Sequence, residues 1–201
     1  MDLGDFLKRL GSGDPTPGGG AAAALTSAQG AALIMMVANL TIGKPGYEEF
    51  EELNKDILGE AEVLLASLTD GIDNDAEAFG KVAAAYALPK TDKEKRSAEI
   101  ASASVTAAEA PLMVMEDSLA GLRLASTLRG RSNKNVESDI LVAAHCLYAG
   151  LRSAKLNVEA NLPAIKKADP YTAHIMDMRA SDALRDATVI ISELLHAVKG
   201  E

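Results

Sequence analysis

Asp75 is a carboxylate at a position where the pattern of its helix predicts an apolar residue. In the third predicted helix apolar residues recur in alternating steps of four and three, and Asp75 falls between Ile72 and Phe79. A carboxylate on the packed face of a bundle costs free energy unless it is paired or hydrogen-bonded. Asp75 is therefore either a device that fixes helix register or a carboxyl group tuned for proton transfer.

A second polar interruption lies in the fifth predicted helix, where Asn157 and Asn161 occupy apolar-face positions one turn apart. The small residues Gly150 and Ala154 precede them and favour close helix approach. Two amides in this arrangement suit a heterocycle or an amide, because each offers a donor and an acceptor. Asp139, near the start of the same helix, is either a ligand-orienting group or a plain stabiliser of the first turn.

The third unusual feature is a glycine triplet, Gly18–Gly20, which follows Pro15-Thr16-Pro17 and leads into an alanine-rich helix. The prolines disfavour helix and the glycines free the backbone, so the next helix begins with few side chains over its N–H groups. The motif is neither a Walker loop nor a dinucleotide fingerprint. We interpret the glycines as allowing close approach of a ligand or of a neighbouring backbone, and not as a phosphate site.

The composition favours a single helical domain. The 201 residues are 48% hydrophobic but only 3% aromatic, with no Trp, which is typical of closely packed helices. A net charge of −9 disfavours nucleic acid and anionic membrane surfaces as partners. Cys146 is the only cysteine, so no disulfide or cysteine-based metal site is expected, and the three histidines lack metal-ligand spacing. No membrane-spanning run or signal peptide is expected, and the predicted location is cytoplasmic.

Glycine, proline and capping residues divide the chain into helices. Residues 1–201 are predicted to form one all-α domain, an up-and-down bundle of about five to six helices, several of them long. The expected helices are Leu3–Leu10, Gly19 to about Leu40, Tyr47–Ala87, a helix opened by a Thr91-x-x-Glu94 capping box and ending near Leu128, Asn135–Lys167, and a last helix capped by Asp169 and ending near Val198.

Basic residues concentrate near the predicted helix ends. Such clusters in an acidic protein either receive a polyanionic tail or are simply solvated. They comprise Lys44, Lys90, Lys93, Lys95, Arg96, Arg129, Arg131 and Lys134.

Several short motifs together resemble the C-terminal domain family of formiminotransferase-cyclodeaminase. This family includes formimidoyltetrahydrofolate cyclodeaminases and methenyltetrahydrofolate cyclohydrolases. The matching segments are spread in order over nearly the whole chain, and each is weak alone. They are Pro15-Thr16-Pro17-Gly18-Gly19-Gly20, Leu40–Lys44 with Tyr47, Asp75–Phe79, Leu88-Pro89-Lys90, Ser138-Asp139, and Asn157-Val158 with Asn161-Leu162.

The resemblance implies an all-α homodimer that binds reduced folate, with or without a polyglutamate tail, and that uses no metal or nucleotide cofactor. It marks the positions of Asp75 and Lys90, and the interruption of the apolar face favours Asp75 as the proton-transfer group. Lys90 is expected to be the second catalytic residue, which binds a folate carboxylate or tunes the charge of Asp75. Where the family usually has Ser after the glycines, this chain has Ala21. The substrate-binding residues it implies are Pro17, Gly18, Gly19, Gly20, Lys44, Tyr47, Asp139, Asn157 and Asn161.

Three functions are compatible with the sequence, and cyclodeamination is the leading hypothesis among them. The first is cyclodeamination of 5-formimidoyl-tetrahydrofolate to 5,10-methenyl-tetrahydrofolate with release of ammonia. The second is hydrolysis of the methenyl form to 10-formyl-tetrahydrofolate in the same pocket. The third is a non-catalytic, folate-binding helical protein.

Overall fold

The computed structural model describes residues 2–196 and shows that helices account for almost all of them. No strand occurs in that range, so the predicted all-α fold is confirmed. The predicted end of the last helix near Val198 lies outside the described residues. The helices are α1 (Leu3–Leu10), α2 (Gly19–Asn39), α3 (Glu51–Ala87), α4 (Lys93–Leu128), α5 (Glu137–Ala168) and α6 (Pro170–His196), with 3-10 turns at Glu48–Phe50 and Lys134–Val136.

Three helix starts differ from the prediction. The cap of α4 is Asp92 and not Thr91, since the Asp92 carboxylate accepts a hydrogen bond from the Lys95 N–H at 3.0 Å. The 3-10 turns delay α3 and α5 by a few residues relative to the prediction. Asp169 caps α6 as expected, accepting from the Thr172 N–H at 3.0 Å.

Helix α2 lies at the centre, between α3 and α5, and both neighbours run antiparallel to it. Small residues let α2 and α5 come unusually close. A Cβ added to Gly150 of α5 would lie 1.9 Å from Ser27 Oγ and 2.9 Å from the carbonyl oxygen of Ala23. Ser118 of α4 donates to Ser27 Oγ at 2.7 Å, so the small hydroxyls at this crossing are hydrogen-bonded.

The apolar character of α2 corrects one expectation. The helix has 21 residues and contains an 18-residue window with a mean hydropathy of 1.6, so by length and composition alone it could cross a membrane, contrary to the expectation from the sequence. Its packing gives another reason for this composition, because just over half of its apolar window is buried against the other helices. A central core helix needs apolar residues on most of its faces.

The end of the bundle beyond α2 has a smaller core of its own. Ala108, Ile165, Ala173 and Met176 pack there between α4, α5 and α6. Along this part of α3 the predicted apolar face was wrong, because Phe79 and Tyr86 are 43% and 53% exposed. The buried positions are instead Ala78 and Ala85, which lie in steps that continue from Ile72 through Asp75. Since α2 begins only at Gly19, it does not cover the outer face of α3 here.

The α2–α5 contact yields a stability prediction. Gly150→Ala should lower the free energy of unfolding by about 1–3 kcal/mol, because its Cβ meets backbone atoms that cannot move without separating the helices. Gly59→Ala is the matched control, since nothing lies within 4 Å of its added Cβ in α3. It should raise stability by up to about 1 kcal/mol. Urea unfolding of both variants decides; a Gly150→Ala protein as stable as wild type would contradict the close packing.

Candidate active site at the start of helix α2

The Asp75 carboxylate caps helix α2 from a neighbouring helix. Its Oδ2 accepts a hydrogen bond from the Ala21 N–H at 3.1 Å. Gly18, at the N-cap of α2, has no side chain for this purpose, so Asp75 supplies the missing acceptor. Burial raises the pKa of Asp75 above its ordinary value of 3.8, and the bond from Ala21 opposes that rise in part. The carboxylate is half-buried and therefore keeps an open side.

Gly20 is required by this contact. A Cβ at Gly20 would lie 2.1 Å from Asp75 Oδ1, a distance that no side chain can tolerate. None of the three glycines Gly18–Gly20 has a positive φ, so the backbone freedom of glycine is not what this position requires. Gly20 is needed because a side chain there would collide with Asp75. The sequence interpretation expected a ligand or a neighbouring backbone at the triplet, whereas the group that approaches Gly20 is the side-chain carboxylate of Asp75 from α3.

Asn157 of α5 lies on the other flank of the same turn, and Asn161 follows one helical turn further along α5, where its amide also donates to the Ala107 carbonyl of α4 at 3.5 Å. A Cβ on Gly19 would contact Asn157 Oδ1 at 3.5 Å. The Asn157 amide donates to the Ser153 carbonyl at 3.0 Å, and that of Asn161 donates to the Asn157 carbonyl at 2.9 Å. Neither amide oxygen accepts a hydrogen bond from residues 2–196, so both are available as acceptors for a ligand.

The first turn of α2 forms the floor of a cleft. Helix α3 continues for about 18 Å beyond Asp75 and α5 for roughly 16 Å beyond Asn157, at 1.5 Å per residue. Helix α2 begins only at Gly19, so beyond its first turn α3 and α5 flank the cleft and α4, which packs against both of them, bounds a third side. Pro17 is buried beside this floor and follows a cis peptide bond.

Three other predicted site residues lie at the opposite end of the molecule. Lys44 and Tyr47 follow the C-terminus of α2, roughly 30 Å along its axis from Gly19. Tyr47 Oη accepts from the Lys134 N–H at 3.0 Å, which ties this loop to the start of α5. Asp139 belongs to the first turn of α5, where it complements the helix dipole. A single subunit therefore does not bring these three residues to Asp75.

Lys90 is also separated from Asp75 within one chain. It follows the end of α3 and lines a cavity of about 280 Å³ at the far tip of the bundle. The remaining lining residues are Lys93, Arg96, Ser97 and Lys167. The expectation that Lys90 tunes the charge of Asp75 is not met inside one subunit, because the α3 helix holds the two roughly 20 Å apart. Sequence reasoning did not single out Lys167, since a lysine in the last turn of a helix is ordinary dipole complementation.

The sequence predicts no metal site in this protein. Within residues 2–196 no group of three or more His, Cys, Asp or Glu side chains is placed to hold a metal ion. The lone thiol of Cys146 is half-buried, and burial raises its pKa, which makes it a poor nucleophile. The absence of a cofactor stays a prediction.

The fold and site define an all-α protein with a half-buried carboxylate and two amides around a glycine helix start. The chain belongs to the formiminotransferase-cyclodeaminase family, whose model matches residues 2–180. It is 49% identical over 159 residues, 78% of this chain and 76% of the other, to the methenyltetrahydrofolate cyclohydrolase of Methylorubrum extorquens. It is 32% identical to formimidoyltransferase-cyclodeaminase of Sus scrofa, covering 92% of this chain but 34% of that longer protein.

A solved structure confirms the architecture. The crystal structure of formiminotetrahydrofolate cyclodeaminase from Thermotoga maritima superposes with a TM-score of 0.91 at 30% identity. The match covers all of this chain and 96% of the other. The family resemblance and the fold expected from it are therefore confirmed.

The glycine triplet gives a matched pair of variants. Gly20→Ala should lower turnover of the folate substrate by about a hundredfold, because its methyl group must displace the Asp75 carboxylate by an ångström or more. Gly19→Ala should retain most activity, since its Cβ meets Asn157 at ordinary contact distance. Steady-state kinetics on both purified proteins test this. Equal activity of the two variants would contradict the role assigned to the contact.

Proposed function

We propose that this protein is a methenyltetrahydrofolate cyclohydrolase, which opens 5,10-methenyl-tetrahydrofolate to the 10-formyl form. The relative at 49% identity carries that name, whereas the cyclodeaminases compared here are 28–32% identical. The observation that carries the chemistry is the half-buried Asp75 carboxylate of α3, which is hydrogen-bonded to the first turn of α2 and whose pKa is raised by burial. This reverses the order of the two reactions favoured from the sequence alone.

The proposed reaction needs one base that later acts as an acid. Water attacks the methenyl carbon, and the Asp75 carboxylate accepts one of its protons, leaving a neutral carbon that bears N5, N10 and a hydroxyl group. The bond from this carbon to N5 then breaks as the Asp75 carboxyl group donates the proton to N5. The hydroxyl proton goes to solvent as the formyl carbonyl forms, so the cation becomes a neutral product and one proton is released.

The surrounding residues suit these steps. Burial raises the pKa of Asp75, which reduces the free-energy difference between its ionised and protonated forms at neutral pH. This favours a group that must first accept a proton and then donate it. The free Oδ1 atoms of Asn157 and Asn161 offer acceptors for the N–H groups of a reduced pterin. Asp75 can perform both proton transfers and no redox change occurs, and we propose on this basis that the reaction uses no metal or organic cofactor.

Cyclodeamination is the second candidate because the Thermotoga maritima structure carries that name. There N10 attacks the protonated formimidoyl carbon, Asp75 takes the N10 proton, and the departing amino group receives it and leaves as ammonia. The same tetrahedral carbon forms, with nitrogen in place of the hydroxyl oxygen. Both reactions therefore use Asp75 in the same position.

A spectroscopic assay of 5,10-methenyl-tetrahydrofolate separates the candidates. Added enzyme should accelerate its loss above the uncatalysed rate without ammonia. Appearance of the methenyl compound from 5-formimidoyl-tetrahydrofolate, with no accelerated hydrolysis, would assign the deaminase instead. Folate binding with neither reaction would identify a binding protein and contradict the proposal.

Substitution of Asp75 should separate catalysis from folding. Asp75→Asn retains an oxygen that can accept from the Ala21 N–H but removes the transferable proton, so turnover should fall by at least about a hundredfold.

The same variant tests the direction of the pKa shift. Because the folded-state pKa of Asp75 is raised, the contribution of its protonated form to stability is full at pH below 3.8 and is lost as the pH rises through the folded-state pKa. The unfolding free energy of Asp75→Asn relative to wild type should therefore rise between acid and neutral pH. A falling difference would contradict the raised pKa.

We further propose a homodimer in which each active site draws on both subunits. The outer face of α2 presents an apolar stripe of exposed or half-exposed residues, Leu25, Ala32, Met36 and Leu40. A two-fold axis perpendicular to α2 would lay two copies antiparallel across this stripe. The Lys44, Tyr47 and Asp139 end of one copy would then meet the glycine floor of the other.

Mixing inactive variants tests the shared site. Asp75→Asn and Lys44→Gln alter opposite ends of the folded subunit, so after unfolding and refolding together a mixed dimer should contain one intact site. Recovery should approach about a quarter of wild-type activity at random assortment. The control mixes Asp75→Asn with Asn157→Ala, which alter the same end and should restore nothing. Equal recovery in both mixtures, or none in either with Lys44→Gln inactive, would refute a shared site.

A further inference from the structure

We propose that Phe79 binds the flat face of the 5,10-methenyl-tetrahydrofolate cation and thereby selects the charged folate over its neutral forms. The proposal rests on the proposed function, because that function makes this cation the substrate of the cleft. Phe79 belongs to α3 and lies four residues, or about 6 Å along the helix axis, beyond Asp75. No step of the proposed reaction uses its side chain.

Phe79 lies on the face of α3 that α2 covers in the lower part of the bundle. It follows the fully buried Leu68 by three helical turns, and at 3.6 residues per turn the two side chains point within about 20° of the same direction. Helix α2 begins only at Gly19, so it does not extend over α3 beyond Asp75. Phe79 is consequently 43% exposed, and its ring faces the cleft above the glycine floor.

The α5 wall leaves room for a flat ring beside Phe79. Because α3 and α5 both run antiparallel to α2, Phe79 and Asn161 each lie one turn beyond the floor, at a similar height. Ala164, on the same face of α5 as Asn157, has only a methyl side chain. A bicyclic ring can therefore lie with one face on Phe79 and with its polar edge toward the free Oδ1 atoms of Asn157 and Asn161.

The groups around this space suit a cation. In 5,10-methenyl-tetrahydrofolate one positive charge is shared by N5, the methenyl carbon and N10. Asp75 contributes a carboxylate, Asn157 and Asn161 contribute amide oxygens, and the face of the Phe79 ring adds the negative lobe of its quadrupole. A neutral folate gains only the apolar part of the contact with the ring, so Phe79 discriminates by charge.

A free ring face distinguishes Phe79 from Tyr86, the next exposed aromatic residue on this face of α3. The Arg96 guanidinium already lies over the Tyr86 ring, 5.7 Å from its centroid. Within residues 2–196 no arginine or lysine lies over Phe79 in this way. The ring of Phe79 is therefore available to a cation that enters the cleft.

The charge dependence of binding tests the proposal. Phe79→Leu keeps an apolar side chain but removes the aromatic face. The positive charge disappears as water adds, so the contact is strongest before reaction; the KM for the methenyl substrate should rise about fivefold or more while kcat stays within about twofold. The inhibition constant of 5-formyl-tetrahydrofolate, which has the same carboxylates but no cationic centre, should rise less than about twofold.

Two further variants complete this comparison. Phe79→Trp should restore the KM, because indole presents a stronger negative face than a phenyl ring. Tyr171→Leu is the matched control, since Tyr171 is an exposed aromatic residue of α6, which does not flank the cleft, and it should change neither constant. Equal loss of affinity for the charged and the neutral folate in Phe79→Leu, or no loss of either, would overturn the proposal.

Equilibrium binding separates this outcome from failure of the proposed function. The Asp75→Asn variant is expected not to turn over the substrate, so both folates can be titrated with it directly. Adding Phe79→Leu to that variant should weaken binding of the methenyl cation about fivefold or more relative to binding of 5-formyl-tetrahydrofolate. An unchanged ratio would overturn the proposal, and the ratio decides even if the protein catalyses neither folate reaction.

Discussion

The hydrogen bond from the Ala21 N–H to Asp75 Oδ2 is the constraint around which the rest of the site is arranged. It can form only if α3 passes within contact distance of the first turn of α2, and only if that turn has no Cβ at Gly20. The same bond caps α2, so the residue proposed for proton transfer also closes the start of the central helix. Two effects on Asp75 therefore oppose each other. The hydrogen bond that caps α2 favours the ionised carboxylate, whereas burial favours the protonated form and raises the pKa.

Small residues extend this close approach along the whole of α2. Gly30 and Gly150 remove side-chain volume where α2 meets α5, and Gly71 does so where α3 meets α2 and α4. The central helix is therefore held on several sides at short distance, which fixes its N-terminus relative to Asp75 and Asn157. A loosely packed α2 would move the floor of the cleft by more than a proton transfer tolerates. The apolar composition that makes α2 resemble a membrane span is the same property that secures this floor.

The sequence predicted the helices well because glycine, proline and capping residues act locally, so Gly11 and Asp169 mark helix boundaries without knowledge of the fold. It also identified Asp75 as a carboxylate that must face a polar partner. It could not predict that partner, because the Ala21 N–H is brought there by a helix pair that is distant in sequence. The predicted apolar face of α3 beyond Ile72 was wrong for a related reason. Periodicity assumes that a neighbouring helix covers the full length of α3, whereas α2 begins only at Gly19 and leaves this part of α3 uncovered. Tyr47 and Asp75 likewise lie at opposite ends of the molecule because of the length of the helices between them. The order of the motifs along the chain does not reveal this separation.

The two candidate reactions share a tetrahedral carbon flanked by N5 and N10, so the choice between them cannot originate at Asp75. It must originate in the groups that surround the third substituent, which is a hydroxyl in hydrolysis and an amino group in deamination. In one subunit that region is the open side of the cleft, since α2 provides the floor and α3, α4 and α5 the walls. Whatever closes that side therefore admits or excludes water. The proposed second subunit would close it with residues from the far end of its own α2. The geometry of the proposed dimer would therefore determine which of the two reactions the site performs.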